Sequence, residues 1–181
     1  MTQLKSNTNP LKIAIIGSRG YPYVYSGYET LIRELSERLV EKGCEVTVYC
    51  HRSLFKEKPA HVNGIKLVYM PTIETKSLSQ FIHSFLSMCH AVVSDADVVF
   101  AVNAANGPFG LISKIFRKPT AINVDGLEWL RPKWKGLGAR YFKIAAWLST
   151  ILFDQIINDS EEMRKVYLNI FKKESVVIAY G

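Results

Sequence analysis

Cysteine is scarce in this 181-residue chain: Cys44, Cys50 and Cys89 are odd in number and lack Cys-x-x-Cys spacing. They sit among apolar neighbours and read as reduced core thiols, which excludes a disulfide scaffold. The first ten residues are polar, and the first apolar run after them, residues 12–17, is too brief for a signal segment or a membrane span. A cytoplasmic protein is the expectation, with residues 1–10 a flexible tail. The net charge of +7 is not gathered into a polybasic block, and pairs such as Arg117-Lys118 and Lys172-Lys173 stand isolated. A nucleic-acid groove would want a basic stripe with interleaved aromatics, so the charge favours an anionic small ligand or an anionic membrane surface. No internal repeat, low-complexity segment or Pro, Gly or Ser-rich linker divides the chain.

Two nucleotide fingerprints are also missing. Gly17-x-x-Gly20 leads into a broad loop, where a dinucleotide site would want Gly-x-Gly-x-x-Gly in a tight turn, and residues 50–52 offer Cys-His-Arg in place of an acid. Before the first helix stands Ser26-Gly27-Tyr28, without the Gly-Lys-Ser or Gly-Lys-Thr of a phosphate-binding ATPase loop.

What is present is a regular alternation. Apolar runs at residues 12–17, 46–50, 65–70, 98–102, 120–124, 156–157 and 176–178 read as strands. Helical patterns lie at residues 27–42, 77–93, 109–116, 138–153 and 160–171. Such alternation predicts an α/β fold, a doubly wound, mostly parallel Rossmann-like sheet with helices on both faces, and the length suits one domain. The first helix is the best specified: Ser26 and Glu29 form a Ser-x-x-Glu box, Leu31, Leu35 and Leu39 make a stripe, and Gly43 ends it. In the second, Leu78, Phe81, Ile82, Phe85, Leu86, Cys89 and Val93 share one face, which leaves His83 and His90 on a more polar face as solvated histidines, their seven-residue spacing being wrong for a metal pair. The helix over residues 141–153 is the most apolar, and it reads as a core helix or as one that touches an anionic bilayer.

Three segments at the carboxyl ends of strands carry chemistry. The loop from Ser18 to Ser26, with Tyr21, Tyr23 and Tyr25, is long for a strand-to-helix connection and feeds a helix end suited to a phosphate or a sugar hydroxyl. Asn103 and Asn106 follow residues 98–102 and either read hydroxyls or cap the next helix. After residues 120–124, Asp125, Glu128, Trp129, Arg131, Lys133 and Trp134 concentrate acids, bases and indoles. They suit a carbohydrate subsite, or else a loop pinned to the core by its rings.

The strings GSRGYPYVYSGYETLIREL, VDGLEWLRPKWKG and IINDSEEMRKVY leading to VVIAYG resemble the amino-terminal half of a GT-B glycosyltransferase of the retaining family 4 type, most closely its bacterial rhamnosyltransferase-like branch. The likeness runs from about residue 11 to 181, with Ser26-Gly27 standing where many members have two glycines. It implies two facing Rossmann-like domains, a nucleotide-sugar donor held mostly by a carboxy-terminal domain that this chain lacks, and an acceptor held by the half present here. Gly20, Ser26 and Gly27 would then meet the donor, Asp125 would contact the transferred sugar as the catalytic residue, and Asn103, Asn106, Glu128, Trp129 and Arg131 would shape the acceptor side. No cofactor or metal is expected. The resemblance implies transfer of a hexose or deoxyhexose, with rhamnose the leading candidate, to a lipid-linked saccharide in surface polysaccharide synthesis, at the inner face of the cell membrane. The polypeptide is expected to continue past Gly181, and this half alone to be inactive. A stand-alone Rossmann-like module binding a membrane or protein partner is the competing expectation.

Overall fold

The computed structural model describes residues 9–22, 27–73, 75, 78–132 and 134–179. The polar tail of residues 1–8, the cap position Ser26, the tyrosines Tyr23 and Tyr25, Lys133, and Tyr180 with Gly181 lie outside the described residues.

The elements follow in the order β1 (Lys12–Ile16), α1 (Gly27–Glu41), β2 (Glu45–His51), β3 (His61–Val62), β4 (Ile65–Met70), α2 (Leu78–Val93), β5 (Val98–Val102), α3 (Gly110–Ile115), β6 (Thr120–Val124), α4 (Leu137–Leu152), β7 (Gln155–Asn158), α5 (Glu161–Phe171) and β8 (Val176–Val177). They build one sheet of order β3-β4-β2-β1-β5-β6-β7-β8. All pairings are parallel except β3 with β4, a hairpin across Asn63-Gly64 that the sequence reading did not include.

Alternation along β1 divides the core in two. Ile13 and Ile15 point to one face, where they meet Leu31 and Ile32 of α1 with Val46 and Val48 of β2. Ala14 and Ile16 point to the other, against Met88 and Ala91 of α2, Phe109, Ala146 of α4 and Tyr167 of α5. Helices therefore cover both faces, but unequally, with α1 on one side and α2 to α5 on the other. Beside α1 an apolar groove of about 190 Å³ stays open over Val98, Phe100, Ala121 and Ile157.

The helix ends are set locally. After α1, Gly43 takes φ +83°, its N–H bonds the Val40 carbonyl at 2.9 Å, and the Cys44 N–H bonds that of Leu39 at 3.0 Å, the Schellman arrangement that a left-handed glycine permits. At the start of α5 the Ser160 Oγ accepts from the Met163 N–H at 3.3 Å, with Glu161 and Glu162 in the first turn. Ser160→Ala is expected to cost about 1 kcal/mol of stability, measured by urea denaturation; an unchanged midpoint would show that the cap contributes nothing.

One helix is turned over relative to its apolar pattern. In α2 the inward residues are His83, Ser84, Ser87, Met88, Ala91 and Val92, while Leu78, Phe81, Phe85 and Val93 face out. His83 is thus not solvated: it is fully buried and stacked on His51 with ring centroids 3.9 Å apart. His90 is exposed and shares a 2.8 Å hydrogen bond with the Tyr49 hydroxyl. All three cysteines are free thiols, and burial pushes Cys50 up to about 11, which keeps it protonated.

Candidate functional site

From β1 the chain winds first towards β2 and later, through α2, towards β5, so β1 and β5 flank the point where the strand order reverses. Crevices at such a point, outside the carboxyl ends of the strands, are where open α/β sheets bind ligands. The loops after β1, β5 and β6 all emerge on that rim.

The first loop is built on close backbone approach. A Cβ on Gly17, which has φ +92°, would lie 2.6 Å from the Asn106 Nδ2 and 2.6 Å from the Val102 carbonyl, so the loop after β1 rests directly on the loop after β5. Gly20 is pressed against Cys50 and Phe55, where a Cβ would meet the Cys50 side chain at 2.8 Å. The Arg19 N–H donates to the buried Glu29 carboxylate at 3.1 Å, and the Arg19 carbonyl accepts from the His51 N–H at 3.1 Å. Tyr21, fully buried, donates to Glu37 at 2.5 Å and accepts from Asn63 at 2.8 Å, and so anchors the loop. Gly27 has open space on its Cβ side.

In the second loop, Asn103 caps the short 3-10 turn Ala104–Phe109, its Oδ1 accepting from the Ala105 N–H at 2.8 Å. Asn106 is buried and donates to the Val102 carbonyl at 2.6 Å. Asn103 thus takes the capping role, while the Asn106 side chain ties the loop to the end of β5.

The third loop brings Asp125 to the centre of the rim. The Tyr28 hydroxyl, from the first turn of α1, donates to Asp125 Oδ1 and ties α1 to the end of β6. The Asp125 carboxyl is raised above its usual range, first by burial and then by Asp159 and Glu128, against the opposing Tyr28 bond and the Arg131 charge. Glu128 is itself buried: it receives the Trp134 Nε1–H at 3.0 Å and pairs with the Arg131 guanidinium at 2.9 Å, which leaves Arg131 half exposed above Gly126. The indoles are engaged in packing. Trp129 meets Phe171 edge-on at 6.0 Å and Trp134 meets Phe142 at 4.6 Å, so both rings help to pin the loop to the core.

The structure thus brings together Asp125, Glu128 and Arg131 with Tyr28 and Asp159, the last two of which sequence reasoning did not place. Tyr28 carried one signal, an aromatic next to the glycine that opens α1. Among the described residues no group of three or more His, Cys, Asp or Glu side chains is arranged to hold a metal ion.

This mostly parallel, doubly wound sheet matches solved structures that have the GT-B fold. A sucrose-phosphate synthase from Thermosynechococcus elongatus aligns at TM-score 0.59 and 12% identity over 96% of this chain and 90% of that one. Arabidopsis thaliana UGT89C1, complexed with UDP-L-rhamnose, aligns at TM-score 0.56 and 12% identity over 96% of this chain and 49% of that one. Phytolacca americana UGT2, complexed with UDP-2fluoro-glucose and pterostilbene, aligns at TM-score 0.56 and 11% identity over 95% of this chain and 53% of that one. The chain belongs to the DUF1972 family, a domain of unknown function, whose model matches residues 11–181. A Klebsiella pneumoniae relative, described as an uncharacterized 42.6 kDa protein in the cps region, is 34% identical over 61 residues, which is 34% of this chain and 16% of that protein.

Proposed function

We propose that this chain is the acceptor-side half of a retaining glycosyltransferase that moves a hexose or deoxyhexose from a nucleotide sugar to a lipid-linked saccharide in surface polysaccharide synthesis. The observation that carries the reading is Asp125, partly desolvated on the rim just after β6, one strand from the reversal point, and held there by Tyr28. A carboxylate fixed in that way can take a hydrogen bond from a sugar hydroxyl without reorganising as charge develops. Arg131, half exposed and steered by Glu128, offers a guanidinium to an acceptor phosphate. Gly27, the first residue of α1, and Gly20 and Ser26 before it in the sequence are assigned to the donor side, where helix-end N–H groups suit a phosphate. UDP-L-rhamnose in a neighbour with this fold and the cps-region relative support the sugar and the polysaccharide.

The test is transfer from a panel of nucleotide sugars to a polyprenyl-diphosphate-linked saccharide, followed by mass spectrometry, with the native protein that contains this chain. Asp125→Ala is expected to lower the rate at least about tenfold, roughly 1.4 kcal/mol of transition-state stabilisation. A rate within about threefold of the unsubstituted protein, roughly 0.7 kcal/mol, would remove Asp125 from the site. If no nucleotide sugar is consumed, the chain is a binding module.

A further inference from the structure

We infer that the helical layer of α2, α3 and α4 is a docking surface for an anionic lipid bilayer. The inference does not depend on sugar transfer, although it would hold the rim beside a lipid-linked acceptor.

The layer is apolar on its outer side. Ile144, Trp147 and Ile151 recur at helical spacing on the exposed stripe of α4, with Trp147 50% exposed and Ile144 48% exposed. Phe81 and Phe85 of α2 and Ile115 of α3 continue it, and Ile115 is 70% exposed. The Phe81 ring lies edge-on to Phe109 at 4.9 Å and to Tyr141 at 6.4 Å, which joins the α2 side to the root of α4. Contiguous exposed apolar patches of this extent mark partner or membrane sites.

Charge decides which partner. No Asp or Glu occurs in residues 78–94, 98–124 or 129–153, the segments that form this layer. They carry Lys114, Arg117 and Lys118 at the end of α3 and Lys135, Arg140 and Lys143 around the start of α4. The opposite face of the sheet is covered by α1, where Glu29, Glu34, Glu37 and Glu41 outnumber Arg33 and Arg38. Within α2, α3 and α4 the charge is therefore all basic, and the acids on this side of the sheet stand at the margins of the layer, at Asp95, Asp97 and Asp154 and in α5 with Glu161 and Glu162. Lys114 pairs with Asp154, and Lys118 donates to the Ser94 and Ala96 carbonyls. Arg117, Arg140 and Lys143 carry no ion pair among the described residues.

Because α3 and α4 run back from the carboxyl rim towards the amino edge of the sheet, the cations form two groups with the apolar stripe between them. A 16-residue helix of about 24 Å laid flat would put Trp147 and Ile151 at the acyl boundary and both basic groups among the headgroups. No helix among the described residues is long and apolar enough to cross a membrane, so the contact is with the surface. A second copy of the chain meets this surface badly, since it would set cations against cations.

The experiment is co-sedimentation of the protein with vesicles of phosphatidylcholine alone or with about one-quarter phosphatidylglycerol, at low and high salt. Binding to the anionic vesicles is expected to be at least about tenfold tighter and to weaken with salt. The double variant R140E/K143E is expected to lose about tenfold or more. I144S/W147S, equally exposed, is expected to lose binding while its circular dichroism matches the parent. Equal binding to both vesicle types, or binding that survives both variants, would overturn the inference. So would a dimer in light scattering that I144S/W147S dissolves, which would make the patch a contact between copies.

Discussion

Gly107→Ala is expected to lower stability by more than about 3 kcal/mol, far beyond an ordinary surface glycine replacement. The turn Ala104–Phe109 lies against the middle of α4, and a Cβ on Gly107 would stand 1.9 Å from the Ala145 carbonyl oxygen and 2.9 Å from the Ser149 nitrogen. Those atoms belong to a helix backbone and cannot swing aside. The whole seam is made of small groups: Ala145, Ala146 and Ser149 are fully buried, and a Cβ on Gly110 would meet the Leu152 side chain at 2.7 Å. The added methyl must push α4 outward, which breaks the 2.8 Å bond from the Tyr141 hydroxyl to the Ala105 carbonyl and strains the contact of Phe142 with Trp134 that steadies Glu128. Gly27→Ala is the control, because nothing lies within 4 Å of its Cβ position; its stability should stay within about 0.5 kcal/mol. Equal urea midpoints for the two variants would disprove the close packing of the turn on α4.

The strands were legible because strands in the middle of a parallel sheet are largely buried and therefore largely apolar, as Val98–Val102 is throughout and Thr120–Val124 is apart from Thr120 and Asn123. The strand His61–Val62 was not, since two residues joined to β4 by an Asn-Gly turn leave no pattern to read. The face of α2 was misread for a different reason. A helix with one stripe of large apolar residues and another of Ser84, Ser87, Met88 and Ala91 can lay either against a sheet, and here the smaller stripe permits close approach.

The candidate site shows the same division. Asp125 was placed by its position after an apolar strand, which topology carries to the rim. Tyr28, 97 residues away in sequence, became its partner only because α1 folds back over the sheet. Trp129 and Asn106 have the chemistry for sugar recognition, but each also satisfies a packing or hydrogen-bonding demand of its own loop, and that demand is met in the structure.

Acid is expected to lower the stability of this protein in part through the imidazole of His83. Burial first, and then the neighbouring His51, depress His83 from its ordinary 6.5 to about 3, against a smaller opposing contribution from the Cys50 backbone. In the unfolded chain His83 would take up a proton near 6.5, so between there and about 3 the unfolded state binds the extra proton and stability falls as pH falls. Above that window His83 is neutral in both states and adds no slope. At roughly 1.4 kcal/mol per pH unit, lowering the pH from about 7 to about 4.5 should remove on the order of 2 to 3 kcal/mol. His83→Phe keeps a flat ring against His51 without a titrating nitrogen and should remove that part of the slope in urea denaturation at the two pH values. Identical slopes in parent and variant would refute the assignment. Nuclear magnetic resonance gives an independent reading that needs no variant to fold: the His83 imidazole should show no titration down to about pH 4.5, and a midpoint near 6.5 would place the ring in water rather than buried against His51.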